Sequence, residues 1–455
     1  MAALGGRLDL QLSVELERFS AETREQGELP AADLTVQDER ETLDAIEAGL
    51  SLDRRIGSGQ LTVLALQRLA RSVETEVVAG DAPERFRSRS RTGESVVGVT
   101  LQRPLSAASQ LKAGAEAAYN VLDGLAELIE DGQTVDLPDA DVRVEEFRGE
   151  LTAGATWRSS GGLFLDGGAR LEASELRHSG ADVARTFVYL KPRLVFGLER
   201  PGGFEARLRE EREVGQLDFE DFASSASLIS GNVTTGNADL EPEAKWAFAA
   251  TVEQRVLKRG ALVLGYRFEA IDNVLDRIAV VGPEEAFDAP GNLGAGHRHE
   301  VELAFNLPLE WLGVQGGLLT GEVAWVRSSV RDPVTGERRR ISGDDPLEGE
   351  IHFSQDLPAW RFRWGVDVTL PEEDVEYRFD EVQVVRTGTA VAAFAEYAPR
   401  PGWRIRLDAG NLTARVIRSR RDVYDGPRSA TSLDFRDDRR LRFGRFAGLT
   451  LRRSY

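Results

Sequence analysis

Few side chains in this sequence are of a type and spacing that could carry out bond chemistry. His297 and His299 place two imidazoles on one face of a predicted strand, near Asp288 and Glu300, and such a set could ligate a metal ion. The four histidines lack a Gly-x-Ser-x-Gly turn or a comparable motif, and the absence of cysteine excludes thiol chemistry. We interpret the histidine pair as a polar strand start, and we predict a protein that is not an enzyme, without a metal site or cofactor.

Three carboxylate runs invite comparison with calcium sites: Asp344–Asp345, Glu372–Asp374 and Asp437–Asp438. Calcium takes about six to eight oxygen ligands in a defined arrangement, and the sequence contains no Asp-x-Asp-x-Asp-Gly loop. We interpret these runs as solvated loop charge. The alternative is that they hold divalent cations against lipopolysaccharide or make weak substrate contacts.

Arginine clusters and loop aromatics are the residues best suited to hold a ligand. The clusters are Arg338–Arg340, Arg418–Arg421 and Arg436–Arg442. A guanidinium group pairs with phosphate or carboxylate, and an aromatic ring can contact a planar ligand. Pairing with neighbouring acids and packing within loops account for the same residues. The predicted ligand contacts are Tyr377, Phe379, Arg338, Arg340, Arg421 and Tyr424.

The overall charge disfavours a nucleic-acid partner. The chain has 57 Lys and Arg against 76 Asp and Glu, a net charge of -19, whereas phosphate binding relies on clustered cations. No stretch approaches the roughly 18 consecutive apolar residues of a membrane-spanning helix. The first residues lack the features of a secretory signal, so either the protein stays in the cytoplasm or the true N-terminus is missing.

Alternation of apolar and polar residues dominates the chain and predicts β-strands. In Leu8–Leu16, Phe147–Trp157 and Leu441–Tyr455, apolar residues fall on one face and polar residues on the other. We count eighteen such strands, centred near residues 13, 49, 66, 96, 115, 152, 169, 191, 208, 249, 266, 302, 323, 351, 364, 392, 408 and 448. Two segments could be helical, and we assign Thr42–Leu50 to a strand start and Val121–Ile129 to a loop.

The connections between these strands alternate in length. The short links are rich in Gly, Pro or Ser and lie at Asp53–Gly59, Arg103–Ser106, Ser159–Gly162, Arg200–Gly203, Leu257–Arg259, Leu307–Gly317, Leu357–Ala359 and Pro399–Gly402. The long links are polar and include Ser20–Glu41, Leu122–Arg143, Gly215–Glu241, Asp272–Gly296 and Ala414–Arg439. Short turns alternating with long loops, on strands with one apolar and one charged face, are typical of an outer-membrane β-barrel. A soluble β-sandwich would need shorter loops.

Aromatic residues near the strand ends fit the interfacial girdle of such a barrel. They are Tyr119, Trp157, Trp246, Trp311, Trp325, Trp360, Trp403 and Tyr455. We expect these rings to lie at the level of the lipid headgroups.

Several segments resemble the TonB-dependent outer-membrane receptors. Gly236-Asn237-Ala-Asp239-Leu240-Glu-Pro242-Glu243 is similar to the segment that introduces a barrel strand in many of them, and Asp288–Asn292 and Asn411–Thr413 resemble other parts of the family. The terminal aromatic Tyr455 resembles their assembly signal. The resemblance implies an all-β, transmembrane antiparallel barrel that imports a ferric siderophore, cobalamin or an oligosaccharide. It also implies outer-membrane lipid, lipopolysaccharide and TonB as partners.

The sequence departs from that family at its N-terminus. Family members have a signal peptide, a TonB box, a plug and twenty-two strands, so we interpret residues 1–455 as one barrel domain with about four strands missing. The alternatives are a plugless porin-like channel closed at eighteen strands, and an enzyme or adhesin on a barrel scaffold. The latter is disfavoured because no catalytic arrangement is visible.

Overall fold

The computed structural model describes residues 6–26, 34–80, 83–179, 183–228, 232–281 and 286–454. These residues form the following strands: β1 (Gly6–Gln26), β2 (Leu34–Ile56), β3 (Gly59–Ala79), β4 (Glu84–Pro104), β5 (Ser109–Glu130), β6 (Gln133–Val135), β7 (Asp141–Arg158), β8 (Leu163–His178), β9 (Val183–Arg200), β10 (Phe204–Val214), β11 (Ser225–Ser227), β12 (Asn232–Thr234), β13 (Ala244–Val256), β14 (Gly260–Asp272), β15 (Leu275–Val281), β16 (Ala286–Asn292), β17 (Gly296–Pro308), β18 (Gly317–Arg331), β19 (Arg338–Arg339), β20 (Leu347–Leu357), β21 (Phe362–Thr369), β22 (Glu372–Tyr377), β23 (Glu381–Thr387), β24 (Ala390–Tyr397), β25 (Trp403–Gly410), β26 (Val416–Tyr424), β27 (Leu433–Arg442) and β28 (Phe446–Arg453). Three short 3-10 turns occupy Phe219–Phe222, Glu310–Leu312 and Pro358–Trp360. No helix in these ranges is long and apolar enough to cross a membrane.

One antiparallel sheet makes up the wall of the molecule. It contains 20 strands, of which β6 and β19 are short additions. The other members, β1–β5, β7–β10, β13, β14, β17, β18, β20, β21, β24, β25 and β28, pair in chain order and correspond to the eighteen predicted strands. Within the described ranges, β1 pairs with β2 and β28 pairs with β25, and no ladder joins β1 to β28.

The eight predicted short links are confirmed as turns, but not every connection at the opposite end is long, since only four residues separate β3 from β4 and β8 from β9. Each of the eight predicted short links coincides with a turn between neighbouring wall strands, for example at residues 57–58 and 159–162. Gly57 and Gly162 have φ values of 59° and 84°, a region that residues with a Cβ rarely enter. These eight turns lie at one end of the wall, the short-turn end, and the remaining connections, including all the long ones, lie at the other, the long-loop end.

The two faces of the wall have opposite chemistry, as predicted. Leu10, Leu151 and Leu449 point outward and are 72%, 60% and 73% exposed. Inward-facing neighbours such as Glu150 and Lys191 are polar and largely covered. An apolar outer surface on a closed or nearly closed sheet suits a lipid environment, because strand pairing satisfies the backbone there.

The strands nearest the N-terminus are longer than the sequence pattern predicted. Residues in Ser20–Glu41 and Leu122–Arg143 were expected to be loops, but β1 runs to Gln26, β2 starts at Leu34 and β5 runs to Glu130. The assignment of Val121–Ile129 to a loop is therefore wrong. The other ambiguous segment, Thr42–Leu50, lies within β2 rather than before it.

Near the C-terminus the chain passes repeatedly between the wall and a second sheet, and we call the boundary between these two sheets the crease. β22, β23, β26 and β27 form a separate four-stranded outer sheet beyond β21, β24, β25 and β28. The chain passes between the two sheets at residues 370–371, 388–389, 411–415 and 443–445. Asn411, with φ 50°, spans this crease: its amide donates to the carbonyl oxygens of Phe443 and Gly444 at 2.9 and 3.1 Å. The Asn411–Thr413 motif thus has a structural role.

Candidate functional site

The inner face of the wall carries a dense network of ion pairs near its middle. Lys191 is 6% exposed and its Nζ lies 2.6 Å from Glu172 and 3.1 Å from Glu150. Glu211, 5% exposed, is surrounded by three arginines, Arg170, Arg193 and Arg209. A polar cavity of about 610 Å³ is lined by five of these groups, Glu150, Arg170, Lys191, Arg193 and Glu211. Because strand alternation points them inward, they give the wall an aqueous inner surface.

Towards the long-loop end the inner face becomes apolar and is covered by the β10–β13 connection. Leu122, Val144 and Leu176 on the wall pack against Phe222 and Leu240 of that connection, and all five are nearly inaccessible to solvent. A neighbouring cluster unites Phe86 and Leu128 with Ala226 and Phe287. The long loops therefore fold inward across the mouth.

The segment Gly236–Glu243 ties these loops together. Gly236 lies so close to Phe222 that a Cβ would fall 2.2 Å from its carbonyl oxygen. Asn237 donates from Nδ2 to the carbonyl of Pro290 at 2.9 Å. The Asn292 amide accepts from the Glu241 N–H and donates to the Glu241 carbonyl, both at 2.9 Å. Two motifs of the receptor resemblance are thus partners in one loop junction.

The remaining residues of this motif make separate contacts. Glu243 accepts from the N–H of Leu275 at 3.1 Å, and Asp239 pairs with Arg185 on β9. Leu240 is fully buried. Pro242 lies two residues before the start of β13.

A second junction is centred on Asp332, which is 2% exposed. Its Oδ2 accepts from Arg339 and Arg428 at 2.8 Å each, and its Oδ1 accepts from the N–H groups of Val334 and Thr335 at 2.9 Å each. Burial opposes ionisation, but Arg428 and the backbone donors outweigh it and lower the pKa of Asp332 to about 2. This carboxylate therefore stays charged and joins two of the long connections.

An acidic cleft lies between these junctions. Asp221, Asp276, Asp374 and Glu376 line a cavity of about 370 Å³ together with Arg277. Asp221 and Arg277 also line an adjoining cavity of about 310 Å³ against the inner face of β3–β5. Burial, reinforced by Asp218, raises the pKa of Asp221 to about 6. Arg339 pairs with Asp276, and Arg277 and Arg378 pair with Glu376. Among the described residues, Asp221 and Asp374 are therefore the carboxylates of this cleft without an ion pair.

Asp288, on β16, is almost fully buried. Its Oδ1 accepts from the N–H of Phe379 at 3.0 Å, and Thr235 donates to its carbonyl at 2.9 Å. Burial raises the pKa of Asp288 to about 7, even though Phe379, Arg378 and Arg277 act in the opposite direction. Asp288 therefore changes charge near neutral pH.

The predicted ligand-contact residues do not come together at one place. Tyr377 packs beneath two guanidinium groups, Arg339 at 4.3 Å and Arg428 at 5.7 Å from its ring centre. Arg421 forms a bidentate ion pair with buried Glu381, in which two guanidinium nitrogens donate to the two carboxylate oxygens at 2.7 and 3.0 Å. Arg340 lies 3.2 Å from Glu373. These side chains already have partners within the loops.

The other three predicted contacts are more dispersed. Phe379 contributes its backbone N–H to Asp288, and the N–H of Tyr424 donates to the Asp380 carbonyl at 2.8 Å. Arg338 lies on the outer surface with His297, His299 and Trp325, beside a cavity of about 850 Å³. A ligand contact by any of the six remains a prediction.

Five of the predicted girdle residues, Tyr119, Trp157, Trp246, Trp325 and Trp403, lie on wall strands, whereas Trp311 and Trp360 lie in 3-10 turns at the short-turn end. Tyr119, Trp157 and Trp325 are 39%, 47% and 46% exposed. Trp403 is partly covered by the guanidinium groups of Arg400 and Arg453. Tyr455 lies outside the described residues. A headgroup-level position for these rings remains a prediction.

Acidic side chains also approach one another at the top of β2 and β3. Glu39, Glu41 and Glu74 have carboxylate oxygens within 4.8 Å of one another on the inner face. No sequence motif distinguished them, since they come from two strands. His352 lies on the inner face, with its Nδ1 2.9 Å from Asp367.

Sequence reasoning also missed a row of arginines on β4. Arg85, Arg87, Arg89 and Arg91 occupy alternate positions and share one face of the strand. The arginine clusters considered above are runs of neighbouring basic residues, whereas the signal for this row is an arginine at every second position.

Several solved structures of transporters and receptors have a fold similar to that of this chain. The copper transporter OprC has a TM-score of 0.58 at 10% identity, over 99% of this chain and 83% of that chain. The siderophore receptor PiuA from Acinetobacter baumannii gives 0.57 at 10% identity, over 100% and 78%. A double mutant of the Serratia marcescens hemophore receptor HasR, bound to its hemophore HasA and heme, gives 0.54 at 14% identity, over 90% and 74%.

This chain has the fold of those outer-membrane receptor barrels. The fold predicted from the sequence motifs, that of the TonB-dependent receptors, is thereby confirmed. Neither a model of a known protein family nor a curated protein sequence matches the chain. A shared fold does not determine a ligand.

Proposed function

We propose that this chain forms the barrel of a receptor in the outer membrane of a Gram-negative bacterium, and that the receptor imports a scarce, bulky ligand by TonB-dependent transport. The observation that carries the proposal is a wall that is apolar outside and ionic inside, with ordered loops packed across one end. The names of the structural neighbours, which are transporters and receptors, support it.

Two features favour a receptor over a diffusion channel closed at eighteen strands. Such a channel requires pairing between its first and last strands, and among the described residues β1 and β28 share no ladder. The β10–β13 connection is anchored by Phe222 and Leu240 inside the mouth, so it restricts free passage. A receptor uses such loops to hold its ligand.

The mouth suits a neutral or cationic ligand better than an anionic one. Four carboxylates line its cleft, and two of them, Asp221 and Asp374, have no arginine partner among the described residues. Unpaired carboxylates repel anions at close range. Among siderophore-iron complexes, cobalamin and oligosaccharides, the proposal favours those without net negative charge. Tyr377, Phe379 and Tyr424, in or next to the strands of the outer sheet, remain candidate contacts for the ligand.

In this scheme the barrel performs no bond chemistry. The ligand binds the loops and a plug, and TonB acts on the plug through a short box. Both the plug and the box belong to the region that the family resemblance places before the barrel.

Uptake by living cells tests the proposal. Cells that express the gene with its natural upstream sequence are compared with otherwise identical cells lacking TonB, using labelled candidate ligands. We expect accumulation that requires both the gene and TonB and that saturates with ligand concentration. Uptake that is unsaturable and independent of TonB would favour the diffusion channel.

A further inference from the structure

The outer face of the β3–β4 hairpin carries an unusual concentration of positive charge. Arg85, Arg87, Arg89 and Arg91 alternate along β4 with inward-facing residues, of which Phe86 is fully buried beneath the loops. Because Phe86 faces inward, strand alternation directs the four guanidinium groups outward. Arg71 on β3 lies directly opposite Arg91. We call these five residues, Arg71, Arg85, Arg87, Arg89 and Arg91, the arginine comb.

None of the five comb residues forms an ion pair with a carboxylate of the described chain. Asp123 lies opposite Arg91, but its Oδ1 pairs instead with Arg143 at 3.0 Å. Glu127 lies opposite Arg87 and makes no ion pair with it. In a chain with 76 acidic and 57 basic residues, and with arginine pairs throughout its wall, five adjacent guanidinium groups without a carboxylate are unexpected.

The comb is also electrostatically unfavourable in the protein alone. Like charges directly opposite on neighbouring strands destabilise a sheet, and Arg71 and Arg91 occupy such positions. Arg87 has its Nε buried without a hydrogen-bond partner. An external anion would relieve the repulsion and satisfy this donor, since guanidinium groups bind phosphate oxygens in pairs.

The position of the comb on the wall indicates where that anion comes from. On the same outer face of β4, Val97, Val99 and Leu101 are 59%, 40% and 40% exposed and belong to the apolar band. On β5 the girdle residue Tyr119 precedes the Arg91–Asp123 row by four residues, which is about 13 Å along a strand. The comb therefore begins just beyond the apolar band, on the long-loop side.

The height of the comb distinguishes between kinds of lipid. From Arg91 to Arg85 the strand advances by six residues, or about 20 Å along its own axis. At a strand tilt of about 45°, this corresponds to a height of about 14 Å along the membrane normal. The headgroup layer of a phospholipid leaflet is only about 5–8 Å thick. A row of this height matches a lipid whose phosphates lie at several depths, as on a phosphorylated sugar chain.

We propose that the arginine comb is a binding site for the phosphorylated sugar headgroup of lipopolysaccharide. Arg71 and Arg91 engage the phosphates nearest the acyl chains, and Arg85 and Arg87 engage phosphates farther out. This assignment rests on the outer-membrane location in the proposed function. It is independent of the ligand and of TonB, because the comb faces away from the lumen.

Lipid binding to the purified chain tests the assignment. The chain is delipidated in detergent, and its affinity is measured for lipopolysaccharide with a phosphorylated core, for diphosphoryl lipid A, for phosphatidylglycerol and for inorganic phosphate. The comb variant carries Arg71→Gln, Arg87→Gln, Arg89→Gln and Arg91→Gln. The control variant carries Arg386→Gln, Arg420→Gln, Arg436→Gln and Arg439→Gln, four arginines of the outer sheet that each have a carboxylate partner.

We expect the comb variant to bind lipopolysaccharide about 100-fold more weakly or worse, since each arginine near a lipid surface accounts for roughly fivefold, and the control variant to bind as wild type does. Arg85→Gln with Arg87→Gln should weaken binding of full lipopolysaccharide but not of lipid A. Comb-variant binding within about threefold of wild type overturns the proposal, as does equal affinity for phosphatidylglycerol or inorganic phosphate.

Stability provides a check that does not depend on lipid. Without lipopolysaccharide, the comb variant should resist denaturant at least as well as wild type, because the substitutions remove repulsion. If the fourfold variant does not fold, Arg89→Gln and Arg91→Gln are measured singly, each with an expected loss of about fivefold. TonB-independent uptake together with intact comb binding would overturn the proposed function and leave this assignment standing.

Discussion

Arg339 donates from Nε to Oδ2 of Asp332 over 2.8 Å, and the two side chains are only 7% and 2% exposed. Arg428 shares the same oxygen. Breaking a buried pair leaves uncompensated charge, which costs about 3–5 kcal/mol. We therefore predict that Asp332→Asn lowers the free energy of opening of the Asp332–Pro346 connection by that amount, measured by hydrogen exchange.

The control for this prediction is Asp422→Asn. Asp422 also lies between two arginines, Arg420 and Arg436, but those side chains are 42% and 47% exposed. Exposed pairs contribute about 0–1 kcal/mol, so exchange in β26 and β27 should change little. Equal effects of the two substitutions would show that burial around Asp332 does not matter.

Asp288 gives the loop junction a pH dependence. Its pKa in the folded protein is raised from 3.8 to about 7, so the folded form binds more protons than the unfolded form between those values. The contribution of Asp288 to stability is therefore greatest below about pH 4 and falls as the pH rises towards 7. After correction for the base catalysis of intrinsic amide exchange, the free energy of opening of β16 should be lower at pH 8 than at pH 5.

Asp288→Asn should remove most of this dependence, since an amide oxygen still accepts from the Phe379 N–H. The neighbouring Asp221, with a pKa of about 6, leaves a smaller slope in the same direction. Asp434→Asn, on the exposed face of β27, serves as the matched control and should leave the profile unchanged. A steep profile in the Asp288 variant would contradict the assignment.

We predict that Lys191 contributes strongly to the stability of the protein through its ion pairs on the inner face of the wall. Lys191→Ala leaves Glu172 without a cation and leaves Glu150 only Arg170, 3.8 Å away. We expect a loss of about 3–5 kcal/mol in the free energy of unfolding, measured by denaturant titration in vesicles. Pairing Lys191→Met with Glu172→Leu should recover most of it. Arg404→Gln removes a partner of Glu396 that is 62% exposed and should have little effect.

The lipid-facing side of the wall can be tested at adjacent positions of β7. Leu151 points outward and is 60% exposed, whereas Thr152 points inward. Leu151→Arg should reduce the free energy of folding into a bilayer by about 2–4 kcal/mol if Leu151 lies near the midplane. Thr152→Arg should cost much less, because it enters a polar lumen. The reverse order would invert the assignment of the two faces.

The strand positions were predictable from sequence because, towards the short-turn end of the wall, outward-facing residues are apolar and inward-facing residues are polar. The prediction failed where the loops cover the inner face. Leu122, Ala126 and Leu128 face inward and Leu125 faces outward, so apolar residues occur on both sides of β5. Their i, i+3 and i+4 spacing imitates a helix, and the end of the strand is hidden in the pattern.

The candidate site was less predictable because its contacts join distant segments. Nothing local to Tyr377 reveals that Arg428 packs over its ring, or that Glu381 neutralises Arg421. The loop junction at Asn237 and Asn292 was detectable only as two separate motifs. Partners of this kind depend on how the loops fold, which alternation along one strand does not encode.

The crease at residues 370–371, 388–389, 411–415 and 443–445 separates two kinds of evolutionary constraint. Below it, each residue must keep the strand pairing and the lipid-facing surface intact. Above it, the four-stranded outer sheet forms its own hydrogen-bond ladder, so substitutions there leave the register beneath unaltered. Related barrels can therefore diversify or exchange this unit as a block, which would let surface recognition change while membrane insertion stays the same.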